Sequence, residues 1–324
     1  MKFISLLLLI TFSYVESFGQ NNLQYSAPFF NQYNINPAIA GIEDQLDISA
    51  VFRKQWANVA ESPTAQNISL HIPFDMLAGG IGINISNQSS GAERWTMAKL
   101  GYAYHFQINE YSQLNIGGAL GLINSSIDGA QLRTPDGTYI NGVINHADAD
   151  LPLSKVSSST YIGDIGAYFV NDKLTASISY LGLLGGELNF ESGFNSLVTE
   201  QSSVNLFLAY NLDFLQSITI IPHVYLKTDF VKTQSEFHLI GRYNDNLILG
   251  GGLRGYDGNS LDAFIATIGV ELKNGMTMLY AYDYTLSALD TISSGSHEFV
   301  IKYSIDTRLG KGRLPGIIYN PRNL

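Results

Sequence analysis

Residues 95–123 read WTMAKLGYAYHFQINEYSQLNIGGALGLI, and the alternation within them decides the fold. From Ala98 to Phe106 the even positions are Ala98, Leu100, Tyr102, Tyr104 and Phe106, while the odd ones are Lys99, Gly101, Ala103 and His105. After a turn at Asn109-Glu110 the pattern resumes, with Leu114, Ile116, Gly118, Leu120 and Leu122 facing one way and Asn115, Gly117, Ala119 and Gly121 the other. A two-residue period puts successive side chains on opposite faces of a strand, so one face suits hydrocarbon and the other water or a packed lumen. A train of such hairpins, with strands of roughly 9–11 residues, is the written form of a transmembrane β-barrel.

Working outward, the same pattern recurs at about 46–54, 65–72, 79–88, 94–107, 112–125, 160–171, 173–181, 203–212, 217–227, 235–243, 246–255, 261–272, 276–285 and 297–306. That predicts an all-β, transmembrane, antiparallel up-and-down barrel of about 14 strands, an even number as bacterial barrels prefer. Alternation is clean in 276–285, where Met276, Met278, Tyr280, Tyr282 and Tyr284 oppose Thr277, Ala281 and Asp283. It is equally clean in 298–306, where Phe299, Ile301, Tyr303 and Ile305 oppose Glu298, Val300, Lys302, Ser304 and Asp306. The connections alternate by parity. Tight turns at Asn109-Glu110, Asn171-Asp172, Asp213 to Gln216, Asn244-Asp245 and Lys273-Asn274-Gly275 fall on one rim. The other rim takes longer loops at Ser126 to Ser159, Leu181 to Ser202, Thr228 to Gln234 and Leu286 to Ser296. Short periplasmic turns and long outer loops are the habit of outer-membrane barrels, and a soluble sandwich has no reason to sort loops this way.

Composition agrees. The 324-residue chain has no cysteine, a net charge of −10, 19 Tyr and 31 Gly. An acidic balance disfavours a nucleic-acid partner, which needs clustered Lys and Arg. Lys2, the apolar run Phe3 to Phe12 and Ser17-Phe18-Gly19 predict a secretory signal peptide over 1–19, hence export to the outer membrane of a Gram-negative envelope. Residues 20–45 do not alternate and hold Pro28 and Asn36-Pro37-Ala38-Ile39-Ala40-Gly41, so they are expected to plug or line a barrel spanning 46–306. Residues 307–324, with Arg308, Lys311, Arg313 and Arg322, form a basic periplasmic tail suited to an acidic partner, or a frayed end.

Six His occur, none at the H-x-x-x-H spacing of a metal site, and no G-x-S-x-G elbow is present. Gly79-Gly80-Ile81-Gly82 and Gly250-Gly251-Gly252 lie within strands, where Gly permits close backbone approach rather than cradling phosphate. No enzyme, cofactor or metal is expected. Asp148 and Asp150 lack the further oxygen ligands and the Glu of an EF-type calcium loop. Partner binding is expected on the outer loops, with Asp136, His146, Asp148, Asp150, Phe190 and Phe194 as its candidates.

Several marks taken in order resemble the PorP/SprF family of outer-membrane proteins, associated with type IX secretion and gliding motility. Phe30-Asn31-Gln32-Tyr33 with Asn36, Pro37, Ala38 and Gly41 is similar to the family's opening stretch, with Ile39 where an aromatic is common. Arg53, Gln55, Trp56 and Pro63 look like its next elements, and Gly163-Asp164-Ile165-Gly166-Ala167-Tyr168 its mid-chain strand. Pro222 with Lys227 resembles a further strand, although His223 stands where Ser is usual. Tyr280-Ala281-Tyr282-Asp283-Tyr284, then Ser296, His297 and Glu298, resemble its end. The resemblance implies a non-enzymatic barrel that works with the secretion machinery and helps a cargo protein, such as a gliding adhesin, leave the cell or stay attached to its surface. The matching residues read as structural. Arg53 is tolerable only facing the lumen, where Asp283 or Glu298 is placed to pair with it, and Trp56 sits just past a strand end, where an indole spans the interface. The competing expectation is a fatty-acid-transporter type of channel for hydrophobic small molecules. That requires a largely apolar lumen pocket, whereas the scaffold reading requires a polar, packed one.

Overall fold

The computed structural model describes residues 24–42, 45–140, 142–186, 188–190, 202–256 and 260–309. The strands are β1 (Leu46–Lys54), β2 (Thr64–Phe74), β3 (Gly79–Ser90), β4 (Glu93–Asn109), β5 (Ser112–Asp128), β6 (Lys155–Asn171), β7 (Leu174–Gly185) and β8 (Ser203–Tyr210). They continue with β9 (Leu212–Leu215), β10 (Ile218–Thr228), β11 (Thr233–Tyr243), β12 (Leu247–Tyr256), β13 (Ser260–Glu271), β14 (Met276–Thr285) and β15 (Ser296–Ile305). Each pairs antiparallel with its chain neighbour. β8 and β9 are one strand interrupted at Asn211, both lying against β10. β1 closes on β15 from Leu46↔Ile305 to Lys54↔His297, so the barrel has 14 staves and no open edge. Closing the sheet on itself removes the edges that hydrocarbon would leave unpaired.

Orientation follows the alternation. Leu100, Leu120 and Leu122 are 62%, 64% and 65% exposed, whereas the inward Ala103 and Asn115 are fully buried. The apolar band has a sharp upper limit. Ile68, Ile85, Ala98, Leu122 and Tyr161 stand side by side on the outer face of β2–β6, and the next row up is Gln66, Asn87, Thr96, Asn124 and Ser159. That second row is polar throughout and bonds laterally, Asn87 Nδ2 donating to Gln66 at 3.2 Å and Asn124 Nδ2 to Ser159 Oγ at 2.8 Å. Hydrocarbon must end between the two rows. β4, β5 and β6, each 17 residues long, therefore rise above the lipid.

This rise corrects the expected loop Ser126 to Ser159, of which only 129–154 lies outside the strands. The strands continue through Asp128 and from Lys155 without lipid to face, so Ser157, Ser158 and Ser159 show no apolar period. Inside the rise Trp95, Ile127 and Val156 pack against Leu188 and Phe190 from the β7–β8 connection. The break at Asn211 and a bulge in β7 are the other departures. Asp164 alone stands where β7 passes from Tyr180 to Leu184.

Residues 24–42 run down the lumen as three short 3-10 turns, from the outer end of β15 to the periplasmic end of β2. At the other end of the chain Leu309 crosses to β2, donating its N–H to Pro73 O at 3.0 Å and accepting from Asp75 N at 3.2 Å. The stretch 1–19, expected to be a signal peptide, and the tail beyond Leu309 lie outside the described residues.

Candidate functional site

Two different surfaces receive the luminal segment. On the β11–β1 flank an inward layer toward the outer end is charged: Glu236, Arg254, Asp283, Glu298 and Arg53 come from five strands, and each is at most 3% exposed. Arg53 Nη2 donates to Asp283 at 2.8 Å, and its Nη1 lies 3.5 Å from Glu298. Arg254 donates through Nε to Glu236 at 2.6 Å and through Nη1 to Asp283 at 2.8 Å. Charge on this scale is tolerable in a buried site only when paired and hydrogen-bonded. The segment supplies further partners. Ser26 and Ala27 N–H groups donate to the two oxygens of Glu298 at 2.6 and 2.9 Å, Arg53 Nη1 donates to Ser26 Oγ, and Arg254 Nη2 to Tyr25 O at 2.9 Å. One layer down the wall is apolar. Val51, Ile240, Ile248, Ile265, Leu279 and Val300 pack with Ala27, Phe29 and Phe30. The lumen is thus packed but not uniformly polar, which amends the expectation of a polar lumen: its apolar layer is already occupied by the chain's own phenylalanines.

The β2–β7 flank works by shape. The Asn36 side chain accepts from Ala38 N at 2.8 Å, capping the turn Pro37–Ile39, and its Nδ2 reaches Ala167 O at 2.9 Å and Ser177 Oγ at 2.7 Å. Pro37 at the first helical position needs no donor there. The backbone then lies directly on wall glycines. A Cβ at Gly117 would stand 2.6 Å from Ala38 Cα, one at Gly101 2.7 Å from Tyr33 Oη, and one at Gly80 or Gly166 would overlap Ala40 O or Asn36 Oδ1. Gly80 and Gly117 thus serve close backbone approach, as expected, whereas Gly101 and Gly166 make room for the Tyr33 and Asn36 side chains, and Gly250 and Gly252 for those of Ile240 and His238. Gly41, at φ +71°, turns the chain against Pro73 and Gly80, and His105 Nε2 meets Ala40 O at 2.8 Å. Between the two flanks Asn31 bridges Ser49, Ser69 and Asn67 at 3.0, 2.8 and 2.6 Å.

The motif residues fall into these groups. Asn36, Pro37, Ala38 and Gly41 sit in the glycine trough. Arg53, Asp283 and Glu298 form the charged layer, and both carboxylates foreseen as partners of Arg53 are in place. Gln55, Trp56, Pro63 and Ser296 join the first and last outer loops: Gln55 N–H donates to Pro63 O at 2.9 Å, and Trp56 N–H to Ser296 Oγ at 3.1 Å. Trp56 itself is half-buried. His297 faces outward, 2.6 Å from Tyr280 Oη. Asp164 closes the β7 bulge, accepting from Gly182 N at 2.9 Å and from Lys99 Nζ at 2.7 Å. Arg254 and Glu236 escaped the sequence reading, which places Lys99 inward without its partner Asp164. Their signal was a charge at an inward position of an alternating strand.

The outer-loop candidates separate. Asp136, Asp148 and Asp150 are exposed. His146 is buried at 1% exposure, its ring nitrogens 3.0 Å from Tyr139 Oη and 3.1 Å from Pro152 O, so it shapes its loop and presents nothing to a partner. Phe190 is likewise buried, against Trp95 and Val156, and is corrected from a contact residue to a packing one. Phe194 lies outside the described residues. Among the described residues no three His, Cys, Asp or Glu side chains are grouped to hold a metal ion.

Residues 17–303 match the family described as type IX secretion system membrane protein PorP/SprF, and the chain belongs to that family. No curated protein matches it. Among solved structures it is similar to the Ralstonia pickettii toluene transporter TbuX, at 12% identity over 88% of this chain and 94% of that one, with a TM-score of 0.47. The Pseudomonas putida toluene transporter TodX is similar at 11% identity over 87% and 93%, TM-score 0.45. A Pseudomonas aeruginosa FadL homologue is similar at 10% identity over 80% and 88%, TM-score 0.41.

Proposed function

From membership of a type IX secretion family, we propose that this protein is a non-enzymatic outer-membrane scaffold. It supports secretion or surface attachment of a cargo protein such as a gliding adhesin, with the outer loops as the partner-binding surface and the periplasmic rim, including tail 307–324, facing secretion subunits. Residues 1–19 act as its signal peptide and 20–45 as its plug. The observation that supports a scaffold over a conduit is the occupied lumen: residues 24–42 bond to both flanks, and Phe29 and Phe30 fill the apolar layer a hydrophobic ligand would need. The test is gentle extraction of the tagged full-length protein from its native outer membrane, followed by mass spectrometry. Co-purification of secretion subunits and a surface or secreted protein is expected. A lone barrel carrying bound lipid or hydrocarbon would favour the channel for hydrophobic small molecules instead.

A further inference from the structure

The β5–β6 loop, 129–154, is built to hold aliphatic side chains in water. Ile140, Val143 and Leu153 are 66%, 59% and 57% exposed, although the loop springs from strands that have already left the lipid. The loop is ordered from within. Thr138 and Asn145 exchange backbone bonds at 2.7 and 3.0 Å, Arg133 lies 4.5 Å above the Tyr139 ring, and buried His146 ties Tyr139 to Pro152. Ile140 and Val143 share one turn, Val143 N–H donating to Ile140 O at 3.1 Å, and apolar side chains presented together outside lipid mark an interaction site.

Charge says what covers it. The seven outer connections hold ten carboxylates against two cations, Arg133 and Lys232, and Arg133 is spent on Tyr139 and the carbonyls of Ala130 and Leu132. The six periplasmic connections, the link at Glu43-Asp44 and 306–324 together hold seven carboxylates and six cations. The acidic excess is therefore far larger on the outer connections, and Asp136, Asp148 and Asp150 are exposed on the same loop as the aliphatic side chains. Phosphate-bearing lipopolysaccharide meets like charge there, whereas a basic protein segment meets complementary charge.

Resting on the secretion reading above, we infer that this loop is a preformed docking surface for a Lys/Arg-rich segment of the exported protein, with Ile140 and Val143 as apolar anchors and the three aspartates as the charged rim. The test places a photoreactive residue at Ile140, or at periplasmic Tyr111 as control, in the full-length protein in its native membrane. An adduct at Ile140, not at Tyr111, should map to a basic segment of an exported protein. Its yield should fall about tenfold in the combined Asp136→Asn, Asp148→Asn, Asp150→Asn variant and at raised ionic strength, since rim charges act mainly on association rate. The substituted side chains are exposed, so the barrel itself should fold as before. An adduct to lipopolysaccharide alone, no protein adduct, or a yield indifferent to the aspartates overturns the inference. If secretion subunits still co-purify in that case, only the docking site is lost; if they too are absent, the scaffold reading falls with it.

Discussion

One flank of the lumen holds the N-terminal segment by charge, the other by shape. Around Arg53 and Arg254 the segment offers backbone N–H and C=O groups to a pre-assembled ionic layer. Along β3–β6 it lies on a wall stripped of side chains, with its backbone against Gly80 and Gly117 and its Tyr33 and Asn36 side chains against Gly101 and Gly166. The difference teaches that the two contacts should fail differently. Ionic partners are shared by five strands, so damage there reaches the barrel, whereas damage in the trough should release the segment and leave the staves standing.

The largest effect is expected from Arg53→Ala. It strands Asp283 and Glu298 beside a single remaining guanidinium, at a cost of about 3–5 kcal/mol for breaking a buried pair. The unfolding midpoint of the detergent-solubilised barrel should drop sharply, and an unchanged midpoint rejects the charged-layer description. A sharper version replaces Arg53, Asp283 and Glu298 together by apolar residues of similar volume. That should recover much of the loss, because the penalty lies in the orphaned charges.

Next comes Gly80→Ala in the trough. The added methyl overlaps Ala40 O, and overpacking of this kind costs about 1–3 kcal/mol. Here the segment should move and the barrel stay. A cysteine introduced at Ala38, fully buried in the parent, should become reactive to a maleimide in the Gly80→Ala background while the unfolding midpoint changes little. Barrel unfolding in step with exposure would erase the contrast between the flanks. Asn36→Ala, which removes a cap and the bonds to Ala167 and Ser177, should do the same more weakly, at about 1–2 kcal/mol. Smallest for the barrel is His146→Ala, outside both flanks. Proteolysis between β5 and β6 should rise with no shift in the barrel's midpoint.

The strands were legible because lipid enforces a strict period. Where β4–β6 leave the hydrocarbon the enforcement stops, and Lys155 to Ser159 gave no sign of being strand. The β7 bulge was hidden for a related reason: its extra residues preserve the parity that sequence reading follows, and only the missing partner opposite Asp164 betrays it. Arg53 and its two carboxylates stood out as charges at inward positions. Arg254 and Glu236 obey the same rule and were recoverable by it. Pairing across the lumen was not, since Glu236 and Asp283 are three strands apart and meet only through Arg254. His146 and Phe190 misled because a loop's polar and aromatic residues look alike whether they face a partner or fold the loop upon itself.

Single-channel conductance of the purified protein in a planar bilayer bears most directly on the filled lumen. The intact chain should show no steady open-pore current, and deletion of residues 24–42 should create one. A full open-pore current from the intact chain would contradict a lumen occupied by its own N-terminal segment.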